Sequence, residues 1–277
     1  MIDPFQDKLC VITGAGSGIG RALALDLAGR GAALALSDIN EQGLEETKAL
    51  IGAPSNRMRF DRLDVADGDA IAAYAETVRT SLGPADYVFN VAGLSRMGDF
   101  EATPLSSFEK VMDVNFWGVV RMSKAFLPQL IETKGSLINI SSLFGLIGVA
   151  GQTHYCASKF AVRGFSESIG QELEAKGVRV TSVHPGGVNT NIAKTAEVDA
   201  VPAGFSSADD AKKKFGKALR MDPAKAATII LNAAAKGKRR VLVGGDAKLI
   251  SFVQRLFPRR YTALLAYAQP KPKASQS

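Results

Sequence analysis

The chain alternates between short apolar runs and longer segments in which apolar residues recur every three or four positions. The short runs are rich in aliphatic and β-branched residues and predict strands, whereas the longer period predicts helices. The predicted strands are Lys8–Thr13, Ala32–Ser37, Met58–Leu63, Asp86–Asn90, Ser136–Ile140, Val178–Val183 and Arg240–Val243. The predicted helices are Ile19–Arg30, Glu41–Ile51, Ala66–Ser81, Leu105–Ile131 and Thr153–Lys176.

The order of these elements predicts an α/β fold. Strands that are apolar along their whole length are typical of a sheet covered by helices on both faces. Repeated strand–helix–strand units need right-handed crossovers, so they predict a doubly wound parallel sheet of about seven strands. No linker rich in proline, glycine and serine interrupts the pattern, and we interpret residues 1–245 as one catalytic domain. The irregular stretch 186–206 exceeds an ordinary connection, which indicates a functional loop.

Composition excludes several classes of protein. Of the 277 residues, 46% are apolar, as in ordinary globular domains. The chain has no run of about 18 apolar residues and no leader-like start, so we expect neither a membrane span nor secretion. Its two cysteines and two histidines lie far apart, which predicts neither a disulfide framework nor a metal site. We therefore expect a cytoplasmic protein.

The positive charge is concentrated near the C-terminus. Residues 236–277 contain ten lysines or arginines and one acid, whereas the rest of the chain is nearly neutral, which argues against nucleic-acid binding. We interpret residues 246–277 as a basic amphipathic extension whose end, Gln269–Ser277, is disordered. Its apolar stripe consists of Leu249, Phe252, Val253 and Leu256. Three roles stay open, namely packing on a neighbouring subunit, covering of the chain's own cleft, and contact with an anionic membrane; the first two are favoured.

A glycine-rich loop at Thr13–Gly20 joins the first predicted strand to the first predicted helix. Glycine lets a backbone turn sharply and approach a pyrophosphate closely, and a helix start offers free N–H groups and a positive dipole end. The loop glycines follow a G-x-x-x-G-x-G spacing. The loop predicts a dinucleotide phosphate site formed by Gly14, Ser17, Gly18, Ile19 and Gly20.

Asp38 ends the second predicted strand, 18 residues after Gly20. A carboxylate at that place accepts hydrogen bonds from an adenosine ribose and repels a 2′-phosphate. Neither Ser17 nor Ile39 supplies a positive charge nearby. The sequence therefore favours NAD over NADP.

Tyr155 and Lys159 are four residues apart on a predicted helix, so they share one face. A nearby ammonium favours the phenolate, so we expect the tyrosine pKa to fall below its usual value of about 10. Such a phenol suits general acid–base catalysis. Taken alone, this spacing is usually a solvated helix face, so the interpretation depends on the rest of the chain.

Eight short pieces in order make the chain resemble the short-chain dehydrogenase/reductase family, in its type with about 250 core residues. They are Thr13–Gly20, Asp38, Asp64–Val65, Asn90–Gly93, Asn115, Ile140–Ser142, Tyr155–Lys159 and Pro185–Thr190. The resemblance spans residues 8–244. It implies a Rossmann-like fold, an oxidoreductase that uses NAD, and a homodimer or homotetramer.

The resemblance also implies the roles of four catalytic residues. Tyr155 would transfer the substrate proton, and Lys159 would lower its pKa and hold the nicotinamide ribose. Ser142 would hydrogen-bond the substrate oxygen. Asn115 would hold a water that links Lys159 to solvent.

Further residues are implied for the cofactor. Asp64 and Val65 would border the adenine, and Val188 and Thr190 would hold the carboxamide end of the nicotinamide. The remaining implied cofactor residues are Asn90, Ala92, Gly93, Pro185 and Gly186. The family often has Asn where this chain has Val91, so we expect one polar contact to be missing. We expect His154 to face solvent or a subunit contact, and His184 to be a plain strand-end residue.

The segments expected beside the substrate are apolar on balance, which predicts a hydrophobic secondary alcohol or ketone, steroid-like or long-chain. The same residues suit ordinary core burial equally well. They are Leu94, Met97, Leu143, Phe144, Leu146, Ile147, Val149, Ile192, Val198, Val201 and Phe205. Two other functions remain as alternatives. A nucleotide-sensing protein would not need Ser142, Tyr155, Lys159 and Asn115 together. An epimerase or dehydratase of the same superfamily usually needs a larger C-terminal part.

Overall fold

The computed structural model describes residues 3–52 and 57–267, so the predicted disordered end Gln269–Ser277 lies outside the described residues. Its main sheet has seven parallel strands in the order β3-β2-β1-β4-β6-β7-β9. These are β1 (Leu9–Thr13), β2 (Ala33–Asp38), β3 (Met58–Arg62), β4 (Tyr87–Asn90), β6 (Ser136–Ile140), β7 (Arg179–Pro185) and β9 (Arg240–Val243). The strand order reverses direction between β1 and β4, which opens a crevice at the carboxyl ends of both strands.

Helices cover both faces of this sheet and continue beyond it. They are α1 (Gly18–Gly29), α2 (Glu41–Ile51), α3 (Gly68–Leu82), α4 (Leu105–Met112), α5 (Gly118–Thr133), α6 (Thr153–Glu172), α7 (Ile192–Thr195), α8 (Ala208–Ala218), α9 (Pro223–Ala235), α10 (Gly245–Leu256) and α11 (Tyr261–Tyr267). The predicted Rossmann-like, doubly wound α/β fold is confirmed.

The apolar runs are explained by burial on both sides of the sheet. In β1, Cys10 and Ile12 point into a core formed with α1 and α9, whereas Val11 points into a core formed with α3 and α5. Successive side chains of a strand alternate between the two faces, so a strand with two cores needs an apolar residue at each position.

The helix predicted over Leu105–Ile131 contains a break in its regular winding. Between α4 and α5 the chain makes a π-helical turn at Asp113–Trp117. Such turns widen a helix by one residue and occur frequently at functional sites. Here the turn contains Asn115, whose side chain is fully buried.

Sequence reasoning assigns no element between residues 206 and 240, where the structure has α8 and α9. Both helices begin at recognisable caps: Ser207 accepts a hydrogen bond from the N–H of Asp210, and Asp222 precedes a proline at the first helical position. The sequence gives little sign of α8 because the helix has few apolar residues: it buries only Ala211 completely and leaves mostly charged residues at the surface.

The predicted functional loop after β7 contains short secondary-structure elements. It contains α7 and a two-residue strand, β8 (Glu197–Val198), which pairs with β5 (Arg96–Met97) in a separate ribbon. Because β5 follows β4, this ribbon joins the loops that leave two strands of the main sheet. Residues 190–205 are thereby held over the crevice.

The basic segment near the C-terminus is helical, in α10 and α11. Ala247 and Ile250 of α10 pack on Leu143, Leu146 and Ile147, which follow β6. The division of the chain at residue 245 stays a prediction. Within the described ranges, no helix is both long and apolar enough to cross a membrane.

Candidate active site

The glycine loop after β1 lies against the chain that leaves β4. Gly14 has a φ of +69°, and a Cβ there would lie 2.9 Å from the backbone of Ala92. A Cβ on Gly20 would overlap the carbonyl of Gly14, so both positions require glycine. The cap residue of α1, Ser17, makes no side-chain hydrogen bond to the helix. The first N–H groups of α1 are thus not capped by the Ser17 side chain. Together with the glycine loop they form a site that fits a pyrophosphate.

Asp38 is fixed at the carboxyl end of β2 by two backbone hydrogen bonds. Its Oδ2 accepts from the N–H of Gly16 at 2.8 Å, and its Oδ1 accepts from the N–H of Asn40 at 2.9 Å. A carboxylate has about four acceptor positions, so lone pairs remain for ribose hydroxyls. The carboxylate of Asp38 therefore suits the predicted ribose contact.

Sequence reasoning missed one cation near this site, the guanidinium of Arg21. Arg21 of α1 donates to the carbonyl oxygens of Gly16 and Gly43, and its Nη2 lies 2.7 Å from a carboxylate oxygen of Glu46. The guanidinium is thus occupied by partners of its own chain. The glycine-loop motif gives no indication of these Arg21 contacts, because α1 and α2 meet only in the folded protein.

The crevice is a continuous cleft of about 2000 Å³. Pockets for one drug-sized ligand hold roughly 300–1,000 Å³, so this cleft has room for a dinucleotide together with a substrate. Most of the residues predicted for the site line it. They are Gly14, Ser17, Gly18, Ile19, Gly20, Asp38, Asp64, Val65, Ala92, Gly93, Ser142, Tyr155, Lys159, Pro185, Gly186, Val188 and Thr190.

The structure places Asn90 behind the cleft instead of along it. Its amide donates to Oδ1 of Asn139 at 2.9 Å and to Oγ of Ser123 at 3.3 Å. The Asn90 side chain therefore ties β4 to β6 and α5. This contact positions the start of the loop that carries Ala92.

Asn115 also lies outside the cleft lining. Its Oδ1 accepts from the N–H of Leu94 at 2.8 Å, while its Nδ2 donates to the carbonyl of Leu94 at 3.0 Å and to Oγ of Ser158 at 3.1 Å. The side chain thus clamps the loop after β4 onto α6, next to Lys159. These hydrogen bonds give Asn115 a positioning role, and its implied water contact stays a prediction.

The predicted catalytic group assembles at the floor of the cleft. The hydroxyl of Tyr155 lies close enough to Ser142 for that side chain to influence its protonation. The ammonium of Lys159 lies 5.8 Å from the centre of the Tyr155 ring and donates to the carbonyl of Ile140 at 3.1 Å. Ser142 is held in turn by the N–H of Phe144 at 3.1 Å. The three side chains therefore face one reaction space.

The protonation of this group differs from the expectation. Burial raises the pKa of Tyr155 to about 12, and the neighbouring Ser142 side chain opposes that rise only in part. Burial lowers the pKa of Lys159 to about 8. The predicted fall of the tyrosine pKa is thus wrong for this structure, because removal of both groups from water disfavours both charged forms. At neutral pH the phenol holds its proton.

His184 is a site residue that sequence reasoning missed. Its Nδ1 donates to the carbonyl oxygen of Ser142 at 3.1 Å, and its Nε2 pairs with Oγ of Ser182 at 3.1 Å. A carbonyl can only accept, so Nδ1 carries the proton of the neutral ring. The imidazole thereby fixes the backbone of Ser142 from behind. Only the register of β6 beside β7 brings these residues together.

A partly buried ion pair holds the functional loop over the cleft. Nη2 of Arg96 lies 2.5 Å from Oδ1 of Asp199, and Oγ of Ser107 donates to the same oxygen at 2.8 Å. The pair joins β5 to the residue after β8. Removal of one partner is costly because the other charge stays partly shielded from water.

His154 lies beneath that ion pair, so the expected solvent or subunit contact is wrong. Its side chain is fully buried, 3.7 Å from Oδ2 of Asp199, and its ring packs on Phe108. Burial lowers the pKa of His154. The imidazole is therefore part of the base on which the loop rests.

Asp246, at the start of α10, closes the opposite side of the cleft. Its Oδ2 accepts from the N–H of Gly187 at 2.6 Å. Gly186 and Gly187 leave room for this carboxylate, which a Cβ on Gly186 would overlap. The turn after β7 is thus attached to the C-terminal segment. The described residues contain no group of three or more His, Cys, Asp or Glu that could hold a metal ion.

The burial of His184 predicts a pH-dependent loss of stability. Its pKa is lowered to about 4, chiefly by desolvation, against about 6.5 in an unfolded chain. The unfolded state therefore binds more protons in this window, and stability is full above about pH 6.5 and falls toward pH 4. Between about pH 7.5 and pH 5, the free energy of unfolding of the wild type should fall by about 2 kcal/mol more than that of His184→Asn, as measured by urea unfolding. Parallel pH profiles of the two proteins would contradict this assignment.

Comparison with known proteins agrees with this geometry. The family model named short chain dehydrogenase matches residues 8–200. The Mycobacterium tuberculosis protein SadH, which carries the designation oxidoreductase, is 44% identical over 266 residues and covers 95% of each chain. The mitochondrial D-β-hydroxybutyrate dehydrogenase of Bos taurus is 36% identical over 190 residues, which are 67% of this chain and 55% of that protein.

A solved structure extends the likeness to the whole fold. A short-chain dehydrogenase/reductase from Burkholderia phymatum, in complex with NAD, superposes with a TM-score of 0.84 at 25% identity and covers 99% of each chain. The matched family model, the long alignment with SadH and the shared fold lead to one conclusion. This chain belongs to the short-chain dehydrogenase/reductase family and is an oxidoreductase of that family.

Proposed function

We propose that the protein is an NAD-dependent oxidoreductase that interconverts a hydrophobic secondary alcohol and its ketone. The observation that carries this proposal is the position of the Tyr155 hydroxyl. It lies beside Ser142, and the ammonium of Lys159 is 5.8 Å from the centre of the Tyr155 ring. All three residues line the same cleft as the glycine loop. The alternatives of a nucleotide sensor and of an epimerase or dehydratase gain no support from a specific contact.

Tyr155 is placed to exchange a proton with the substrate oxygen. Its pKa of about 12 keeps the phenol protonated, so it is ready to donate to a carbonyl oxygen that gains negative charge. The hydroxyl of Ser142 is a second donor beside the same point, fixed by Phe144 and His184. Preorganised donors of this kind stabilise a developing oxyanion. The nicotinamide supplies the hydride acceptor or donor when bound.

Lys159 is suited to replenish that proton. Its pKa of about 8 lies near the working pH, where a group can both hold and release a proton. Among the described residues, the one hydrogen-bond acceptor of its ammonium is the carbonyl of Ile140. In the oxidation direction, the ammonium form stabilises the phenolate that Tyr155 needs as a base.

Three observations support NAD as the cofactor. The carboxylate of Asp38 stands at the end of β2 with free acceptor positions and would repel a 2′-phosphate. Arg21, the cation beside it, is engaged by Glu46 and two carbonyls, so it offers little to a second phosphate. The similar structure from Burkholderia phymatum was solved with NAD.

The wall near Tyr155 supports a hydrophobic substrate. Phe144 meets the Tyr155 ring edge-on at 6.1 Å, and Phe215 of α8 lies 6.4 Å from Phe144. Ile147 and Ile250 continue this wall toward α10. An apolar wall beside a few convergent polar groups selects substrates with a large apolar part.

Tyr155→Phe is expected to lower kcat by at least about 100-fold, because the variant keeps the ring but loses the transferable proton. NAD binding, measured by titration, is expected to stay near that of the wild type. Tyr74→Phe is the matched control, because Tyr74 is buried against Phe126 away from the cleft. A Tyr155→Phe variant with wild-type kcat would exclude the proposed role.

Asp38→Asn is expected to raise the KM for NAD by about tenfold and to reduce the discrimination against NADP, because it removes a charge from the ribose site. Asp61→Asn is a suitable control, because Asp61 is on the adjacent strand β3 and pairs with Arg59 at 2.6 Å. Steady-state kinetics with both cofactors measure the change. An unaltered cofactor preference in Asp38→Asn would refute the assignment.

Apolar secondary alcohols are expected to be the best substrates in a panel followed at the nicotinamide absorbance with NAD. The panel should extend a homologous series from short to long chains, because each buried methylene adds binding free energy against the apolar wall. 3-Hydroxybutyrate, which the name of the bovine relative specifies, provides the short polar comparison. Highest kcat/KM on polyols or sugars would rule out the hydrophobic substrate.

A further inference from the structure

One face of α10 exposes large apolar side chains that nothing in the described chain covers. Leu249, Phe252 and Leu256 are 63%, 60% and 54% exposed. Their spacing of three and four residues puts them on one side of the helix. Phe257 and Leu264 extend the exposed apolar surface beyond the end of α10. Isolated exposed leucines are ordinary, but a continuous apolar stripe marks an interaction site.

Positive charges border this stripe. Lys248 and Arg255 lie four residues before and three residues after Phe252, so they flank it on the helix surface. Arg259 and Arg260 follow in the turn to α11. Among the described residues, these four cations form no ion pair. The single acid of α10, Asp246, bonds the backbone of Gly187 at the cleft instead.

The apolar stripe and the cations that border it limit which partners can bind this face of α10. In a twofold contact with a second copy, the same face meets itself, and the cations around it would lie opposite cations. The face instead suits a surface that is apolar within and negative at its edge. Phospholipid bilayers with anionic headgroups have this chemistry, and amphipathic helices with basic flanks lie in their interfacial layer.

We propose that the exposed face of α10, together with the turn to α11, docks this protein onto an anionic membrane surface. Leu249, Phe252 and Leu256 enter the boundary between headgroups and acyl chains. Lys248, Arg255, Arg259 and Arg260 contact lipid phosphates. The contact is peripheral.

The other side of the same helices belongs to the substrate cleft. Ile250 and Thr262 line the cleft, and the hydroxyl of Tyr261 accepts a hydrogen bond from the N–H of Gly148 at 3.1 Å. Docking therefore places one wall of the cleft at the lipid boundary. If the proposed function holds, a hydrophobic alcohol or ketone dissolved in the bilayer reaches the site along this wall.

Flotation of the full-length protein with vesicles tests the docking without any need for turnover. The probes are phosphatidylcholine vesicles with and without phosphatidylglycerol as a quarter of the lipid. We expect recovery with the anionic vesicles only, and a clear decrease at about 0.5 M salt because the charges are screened. Tyr155→Phe is expected to float like the wild type, so a failure of the proposed function would not affect this result.

Variants distinguish binding through this face of α10 from nonspecific adsorption to the vesicles. Phe252→Ser with Leu256→Ser, and separately Lys248→Glu with Arg255→Glu, are expected to reduce the vesicle-bound fraction at least about tenfold. Phe100→Ser with Leu105→Ser is the matched control, because Phe100 and Leu105 are at least as exposed as Phe252 and Leu256 but lie on other elements. The substituted side chains are all exposed, and circular dichroism checks that each variant is folded.

Three results would overturn the proposal. One is a wild-type protein that does not float with anionic vesicles. Another is a Phe252/Leu256 variant that floats as well as the wild type. A third is a fall in the number of subunits in that variant, measured by light scattering, with no vesicle binding by the wild type. That outcome would assign the face to contact between copies of the chain.

Discussion

The close approach of the backbone at Gly14 to the backbone at Ala92 is the contact on which the rest of the site depends. It occurs where the strand order reverses between β1 and β4, so two loops diverge and leave a crevice. Thr13 reinforces the junction, because its Oγ1 accepts from the N–H groups of Val91 and Ala92, each at 3.1 Å. A side chain at position 14 would separate these loops and displace the phosphate cradle from the catalytic floor.

Desolvation determines the chemistry of that floor. The same burial raises the pKa of Tyr155 and lowers the pKa values of Lys159 and His184, so each group is held in its neutral form more strongly than in water. A neutral phenol and a neutral imidazole are hydrogen-bond donors in defined directions. The hydroxyls of Tyr155 and Ser142 are thus the donors prepared for negative charge on a substrate oxygen, and the imidazole of His184 fixes the backbone of Ser142 behind them.

The cleft is closed by contacts that connect distant parts of the chain. The Arg96–Asp199 pair joins the loops after β4 and β7, and Asp246 joins the turn after β7 to α10. Both contacts use a carboxylate held against a fixed partner. The C-terminal helices therefore have two different sides: the inner side completes the cleft, and the outer side is apolar and basic.

The sequence alone determined the order of the seven main strands and of the helices as far as α6, together with the glycine loop, Asp38 and the Tyr155–Lys159 pair. These features depend on local periodicity or on spacing within one turn, which the chain carries in its residue order. Tertiary structure decided the rest. Burial reversed the expected direction of the Tyr155 pKa, and packing put His154 under Asp199 and Asn90 behind the cleft. Arg21, His184 and Asp246 each bond a residue that is 22, 42 and 59 positions away in sequence, respectively, so only the folded chain brings these pairs together.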